Sequence, residues 1–478
     1  MKTTASHNPS LIRSFLTLSV GNVGSQLVLL VAVAAIGRAL GPEGFGWWSF
    51  SYVLVLYMFR LNEFGLEVMG VRAIASGGST AAERIGSVLS TRLLLAVVLF
   101  FCAVLAGIIG IIPTEARVLV LIFALAVFPV AFTLEWVYEA IQRFNFVSIA
   151  RIMKAIIFVV LVLFAVRDAS SARYAAAFYV VSLTVPAIFL VADAARRFGS
   201  IRLGFDLQQS VTLLRESFPV GLATFFSQYA LFFATTFLGY VATATDVGLF
   251  SAAHRLIVFV WAYGIVASNR VILPTLSRLH QESREAFDSF VNKVTRTLLL
   301  LALPVGILGT VAAQGVVTLV YGQTFASAST AFRVLLWVLV IAISRSAVEI
   351  SFWASDRQWL YVRRMLLLVF AHSVAVPIGY FLDGLPGVAI GMLCAEVFYT
   401  VRLILGAKIV WSRSILLTLG KVLVVSALTY GVLSVASLAF IPTIAAGAVT
   451  YALLLFAVGE LSQEDLALFR GLIGLKPN

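Results

Sequence analysis

Apolar runs of about twenty residues recur along this chain, separated by short stretches where charge, glycine and proline collect. A helix needs about 20 apolar residues to cross the hydrocarbon core of a bilayer. Runs of that kind lie near 14–36, 45–66, 88–112, 117–136, 146–166, 174–195, 217–241, 246–269, 297–321, 330–352, 360–382, 386–407, 415–437 and 441–459. The pattern predicts an all-α integral membrane protein with about fourteen transmembrane helices, twelve being the alternative count. The run at 14–36 is too long for a signal-peptide core and many others follow it, so it is expected to be the first membrane helix and not a cleaved leader.

The placement of Lys and Arg then orients the chain. Every second connection is basic, beginning with Lys2 and Arg13, continuing with Arg72, Arg84 and Arg92, then Arg143, Arg151 and Lys154, and running on to Arg470 and Lys476. Of the 34 Lys and Arg residues, all but nine fall in this set. The intervening connections hold Arg38, Arg117, Arg167, Arg173 and Arg333, while Arg60, Arg255, Arg345 and Arg402 fall inside predicted helices. By the positive-inside rule both termini are expected in the cytoplasm. Between 274 and 296, Leu276, Leu279, Phe287, Phe290 and Val294 recur at helical spacing in a polar sequence. That predicts an amphipathic helix on the inner leaflet, with a solvated linker as the plainer alternative.

Composition agrees with the membrane reading: 61% of the 478 residues are hydrophobic and 12% charged, where soluble domains carry roughly 45–50% and 25%. The net charge of +12 is topological and does not point to nucleic acid. Cys102 and Cys394 both sit in apolar segments, which argues against a disulfide or a metal site. The four histidines, His7, His254, His280 and His372, are scattered, and the outward connections are short. A metal is not expected, and neither is an enzyme. No GxxxxGK[ST] loop is present, so no nucleotide cofactor is expected.

Two stretches align at a constant offset of about 202 residues: SQLVLLVAVAAIGRALGPEGFGWWSFSYVL at 25–54 and SQYALFFATTFLGYVATATDVGLFSAAHRL at 227–256. Ser25, Gln26, Gly37, Gly46 and Ser49 match Ser227, Gln228, Gly239, Gly248 and Ser251. Parallel internal repeats of this kind are a feature of transporters. With GRALGPEGFGWWSFSYVL followed by NEFGLEVMGVRAIA, the chain resembles the polysaccharide-export, or Wzx-type oligosaccharide flippase, family. That family shares a superfamily with multidrug-and-toxin exporters and the peptidoglycan-precursor flippase.

The resemblance implies two pseudo-symmetric six-helix bundles, 1–205 and 206–410, around a central cavity, followed by two further helices and a tail at 411–478. It implies movement of a polyprenyl-diphosphate-linked glycan from the inner to the outer leaflet of a bacterial inner membrane. Polysaccharide polymerase and chain-length proteins are candidate partners on the same ground. The last two helices would flank a groove for a lipid tail.

Several polar residues stand out inside the runs. At 1.5 Å per residue, Arg255 and Glu396 fall near mid-membrane, where a charge costs at least about 2.5–3.5 kcal/mol against lipid and is expected to face a polar interior. Arg60 and Arg345 lie nearer one end and could reach headgroups by snorkelling. Arg60 with Glu63, and Arg345 with Glu349, are spaced to pair on one helix face. Asn22, Gln26 and Gln228 offer uncharged hydrogen-bonding groups, with interhelical bonding as the plainer role.

Arginine pairs bidentately with phosphate. The expected substrate site is therefore Arg60, Arg255 and Arg345 with Asn22, Gln26 and Gln228, forming a cationic cavity worked by alternating access. Glu63 and Glu396 are candidates for coupling to H+ or Na+. A multidrug exporter is the nearest rival, but its usual cargo is cationic and calls for an acidic cavity. An embedded glycolipid-modifying enzyme is a more distant one.

Overall fold

In the bilayer core a backbone must satisfy its own hydrogen bonds, and a helix does so within one segment. The computed structural model describes residues 9–75, 81–355, 357–407, 409–410, 413–435 and 440–459; among these the ordered elements are all helical, with no strand. Ten spans in the described residues are long and apolar enough to cross a membrane, and two shorter apolar helices lie at Gly420–Leu433 and Ile444–Ala457. The protein is an all-α multi-pass membrane protein. Two of the ten spans, Gly24–Arg72 and Trp359–Ala407, run to 49 residues each. At 1.5 Å per residue that is roughly 70 Å, more than twice the hydrocarbon thickness, so neither can cross as one rod. The chain divides into two compact units, Met1–Gly248 and Leu249–Asn478.

In the first unit, α1 (Pro9–Glu63) is broken at Gly41, whose φ of 66° and ψ of 176° leave the helical region just before Pro42. The LGP turn supplies both the residue that tolerates positive φ and the one that starts a new helix. The break ending α1 is a pair of positive-φ residues, Phe64 at φ 34° and Gly65 at φ 77°, after which come α2 (Leu66–Ala75) and α3 (Ala81–Ile108). The next span is interrupted twice, as α4 (Thr114–Ala124), α5 (Val127–Ala131) and α6 (Glu135–Ala140). There follow α7 (Phe144–Ala165), α8 (Ala172–Phe198) and α9 (Leu207–Val241). In the link before α8, Asp168 accepts hydrogen bonds from the Ser170 and Ser171 hydroxyls, which lower its carboxyl below the usual value.

The second half of α1 runs antiparallel to α9. Phe50 meets Tyr240, Tyr57 meets Phe225 and Tyr229, Arg60 bonds Gln228 and Phe64 meets Phe218. Where α1 restarts after its kink, the start of α10 (Ala244–Glu282) touches it backbone to backbone.

The second unit holds most of α10, then α11 (Arg284–Tyr321), α12 (Ala328–Ala354), α13 (Gln358–Ala407), α14 (Arg413–Val435) and α15 (Phe440–Ala457). Asp383 and Gly384 depart from helical geometry within α13, and its halves fold back as a hairpin. A Cβ on Gly379 would strike the carbonyl of Gly387, and one on Gly387 that of Gly379. Further down, Arg364 donates to the carbonyl of Arg402. Helix α12 is the most buried span of the ten.

The surface helix expected at 274–296 does not form. Its residues extend α10 and α11, which meet at Ser283, whose hydroxyl caps α11 through the Ala286 amide. Leu276, Phe287 and Val294 are buried in protein. An apolar stripe fits a protein neighbour as well as a leaflet, and here the protein took it.

Candidate functional site

The first unit contains a cavity of about 410 Å³ enclosed by α1, α2, α7, α8, α9 and the broken segment around α5 and α6. Its charged lining is balanced. Arg60, Arg151 and Lys154 face Glu63, Glu67 and Glu135.

Arg60 sits in the last turn of α1. Its Nε donates to Gln228 Oε1 on α9 at 3.2 Å, and its Nη1 to Glu63 Oε2 at 2.7 Å. The turn at Phe64 and Gly65 then redirects the chain so that Glu67 reaches Arg92 on α3 at 3.0 Å. That turn needs glycine twice over: Gly65 has positive φ, and a Cβ there would stand 2.9 Å from the Gly221 nitrogen and Ser217 carbonyl of α9.

Arg92 is fully buried and every branch of its guanidinium is engaged. Nε donates to Asn62 Oδ1 at 3.2 Å, Nη1 to Glu67 and to the Thr133 carbonyl at 3.2 Å, and Nη2 to the Val130 carbonyl at 2.7 Å. Val130 lies near the end of α5 and Thr133 in the unwound stretch that follows it, where the helical ladder lapses. Irregular backbone at membrane depth is tolerated only when something replaces those hydrogen bonds. Arg92 does so, and thereby fixes the wall that carries Glu135.

From that wall Glu135 and Glu139, one turn apart on α6, both reach Arg151 of α7, at 2.6 and 3.4 Å. Lys154 follows one turn further along α7. Its ammonium lies 5.1 Å from the Tyr179 ring centroid on α8, a cation–π contact. Tyr179 packs edge-on to Tyr52 of α1 at 5.2 Å. The cavity thus has a charged end and an aromatic end.

Of the residues anticipated for the site, Arg60, Glu63 and Gln228 come together in this cavity. Gln26 is exposed, and the side chain of Asn22 lies outside the described residues. Arg345, Glu396 and Arg255 belong to the second unit. There Arg345 is buried on α12 and pairs with Glu349 at 2.9 Å and with Glu396 across the α13 hairpin. Its guanidinium also covers Tyr399, 4.9 Å from the ring centroid. His372 Nε2 stands 3.9 Å from Glu396 Oε1. Arg345 is not snorkelling; two carboxylates hold it in the interior. Arg255, on α10, is half-buried.

Arg151 and Lys154, assigned from the sequence to a connection, are cavity residues, and Glu135 and Tyr179 were not singled out. A signal existed. Glu135 and Glu139 share one helix face and so do Arg151 and Lys154, but hydropathy windows average such pairs away.

A family model described as polysaccharide biosynthesis protein matches residues 11–280. Over 265 residues the chain is 22% identical to a protein of Escherichia coli (strain K12) proposed to be an O-antigen transporter. The aligned part is 52% of this chain and 60% of that protein, so the chain spans about three-fifths of the curated relative it matches. Among solved structures, the lipid II flippase MurJ in an inward closed conformation matches with a TM-score of 0.77 at 12% identity, covering 92% of this chain and 98% of that one. An inward-facing multidrug resistance transporter of the MATE family, in the MOP superfamily, matches with a TM-score of 0.65 at 18% identity, covering 83% and 96%. At these identities the likeness to solved structures establishes the fold.

Proposed function

Since the chain belongs to the polysaccharide biosynthesis protein family, we propose that it is a flippase for a polyprenyl-diphosphate-linked oligosaccharide, carrying it from the cytoplasmic to the outer leaflet of a bacterial inner membrane. The observation that carries this reading is the balanced charged cavity, with Arg60 and Gln228 at one end and Tyr52 and Tyr179 at the other. A glycan offers hydroxyls that both donate and accept, and a mixed lining of carboxylates, guanidiniums and amides answers both. The diphosphate is anionic and is served by the cations. Access to the cavity alternates between the two membrane faces, and the prenyl tail stays in lipid.

The excess of basic residues in alternate connections supports placing both termini in the cytoplasm. Polysaccharide polymerase and chain-length proteins are the partners that would take up the exported unit. Arg345 and Glu396, buried against each other, fit a role inside the second unit better than direct substrate contact. Glu63 and Glu396 are the carboxylates to test for H+ or Na+ coupling.

The test is complementation of a strain lacking its own flippase, with identification of the lipid-linked sugar that accumulates without it. Restored surface polysaccharide supports the reading; an unchanged accumulation rejects it. A second reading, export of cationic drugs, draws on the carboxylates of the cavity and on the MATE-family fold. It requires raised drug resistance in cells expressing the chain and none of the glycan phenotype.

A further inference from the structure

A cavity with as many carboxylates as cations poses a problem for an anionic headgroup, because the donors it needs are already taken. Arg60 holds Glu63 at 2.7 Å. Arg151 holds Glu135 at 2.6 Å and Glu139 at 3.4 Å. Glu67 is spoken for by Arg92 behind the wall. Lys154 differs: among the described residues it has no carboxylate partner, and its ammonium rests on the face of Tyr179.

The pairs also differ in how easily they can part. Glu63, Glu135 and Glu139 are 27%, 25% and 40% exposed, so a displaced carboxylate meets water. An ion pair in contact with water contributes little net stability, whereas separating a buried one strands a charge and costs several times more. Glu67 is itself 34% exposed, but its partner, the Arg92 guanidinium, is 0% exposed and also bound to Asn62 and two backbone carbonyls, so it is not offered to a headgroup.

Resting on the flippase reading, we infer that the cavity admits a diphosphate by ion-pair exchange. Lys154 is the docking cation, and Glu63 and Glu135 are resident counter-ions that hold Arg60 and Arg151 in the empty site and are displaced by phosphate oxygens. Lys154 is free to dock because a cation–π contact leaves its three N–H groups unassigned. Tyr179 keeps the ammonium inside the cavity. Once the headgroup is docked, a diphosphate offers enough oxygens to replace a carboxylate on each guanidinium. The carboxylates thereby set specificity: a neutral glycolipid cannot displace them, and a single phosphate displaces fewer than a diphosphate.

The experiment uses the purified full chain in nanodiscs and measures binding of fluorescent farnesyl diphosphate and farnesyl monophosphate. Lys154→Ala is expected to weaken diphosphate binding by about tenfold and Lys154→Arg to preserve it within about threefold, as for loss or retention of one phosphate contact. The double change Glu63→Gln with Glu135→Gln is expected to tighten diphosphate binding about fivefold or more and to narrow its margin over the monophosphate. Folding is checked by the thermal transition of each variant. Among the described residues Lys154 has no ion pair to lose, so its variants remain informative if the double Glu variant fails to fold.

Unchanged affinity in Lys154→Ala, or weaker binding in a folded Glu63→Gln, Glu135→Gln protein, overturns ion-pair exchange. A wild-type chain that complements the flippase-deficient strain while Lys154→Ala binds normally sinks this inference alone. A wild-type chain that neither complements nor binds the diphosphate sinks the flippase reading with it.

Discussion

Gly46 and Gly248 touch backbone to backbone, and the contact is reciprocal. A Cβ at Gly46 would enter the carbonyl of Ala244, and one at Gly248 would enter the carbonyl of Pro42. Both pairs are related by the offset of 202 residues that relates the two repeats, so equivalent helix starts meet each other about a local two-fold. Any side chain at either position must force the starts apart.

Gly46→Ala and Gly248→Ala are each expected to destabilise the protein. The helix-propensity gain of Gly→Ala, about 1 kcal/mol, runs against overpacking of typically 1–3 kcal/mol, and here the obstacle is backbone that cannot rotate away. Gly24, with nothing within 4 Å of its would-be Cβ, is the control and should be neutral or gain. Thermal unfolding of the detergent-purified variants decides it; two transitions at or above wild type would show that the close approach is not required.

Arg92 is a strut and not a substrate ligand. Arg92→Met removes the donor to Asn62, Glu67, Val130 and Thr133 together; the Val130 carbonyl keeps the Thr133 amide, while Asn62 Oδ1 and the Thr133 carbonyl lose their donor. Breaking a buried pair in this way costs roughly 3–5 kcal/mol. The expected outcome is loss of folded protein from the membrane fraction, only partly relieved by adding Glu67→Gln, since the Thr133 carbonyl and Asn62 Oδ1 still lose their donor. Wild-type levels of an Arg92→Met protein with lost export would instead place Arg92 in the transport path.

The Arg345 cluster makes a charge-balance prediction in the second unit. Arg345→Gln strands Glu349 and Glu396 in a buried setting and should lower the unfolding temperature markedly. Adding Glu349→Gln and Glu396→Gln removes the stranded charges, and replacing a whole buried ionic cluster by uncharged groups is often close to neutral. The triple variant should therefore be more stable than the single one, by about 2 kcal/mol or more. A triple variant no better than Arg345→Gln would mean the cluster is not held by charge pairing.

Much of this fold was legible in the chain. Apolar length gave the helices, LGP at 40–42 and DGLPG at 383–387 marked the breaks, and the spacing of Arg60 with Glu63 and of Arg345 with Glu349 announced pairs that form within one helix. Partners on other helices were beyond reach: Glu396 lies 51 residues from Arg345, and nothing local says that a hairpin brings it back. Arg151 and Lys154 were read as connection residues because the positive-inside rule counts charges near helix ends without asking whether they point to water or to a cavity. Gly46 and Gly248 were visible as an identity at fixed offset. That they meet each other is a statement about packing, which identity cannot make.

Arg60 and Arg402 separate a cavity guanidinium from a peripheral one. Both stood out in the sequence as arginines inside apolar runs, but Arg60 lines the cavity and bonds Gln228 of another helix, whereas Arg402 is exposed. Arg60→Gln removes a charged donor from the cavity and leaves Glu63 unpaired there. Loss of one charge-assisted contact is worth about 1.5–3 kcal/mol, so glycan export in a complementation assay should fall about tenfold or more. Arg402→Gln should export at wild-type rate, since exposed charges away from a site rarely matter beyond about 0.5 kcal/mol. Expression must match between the two, because Arg60 also links α1 to α9. Equal loss in both variants would mean that position along the chain, and not the cavity, made these arginines matter.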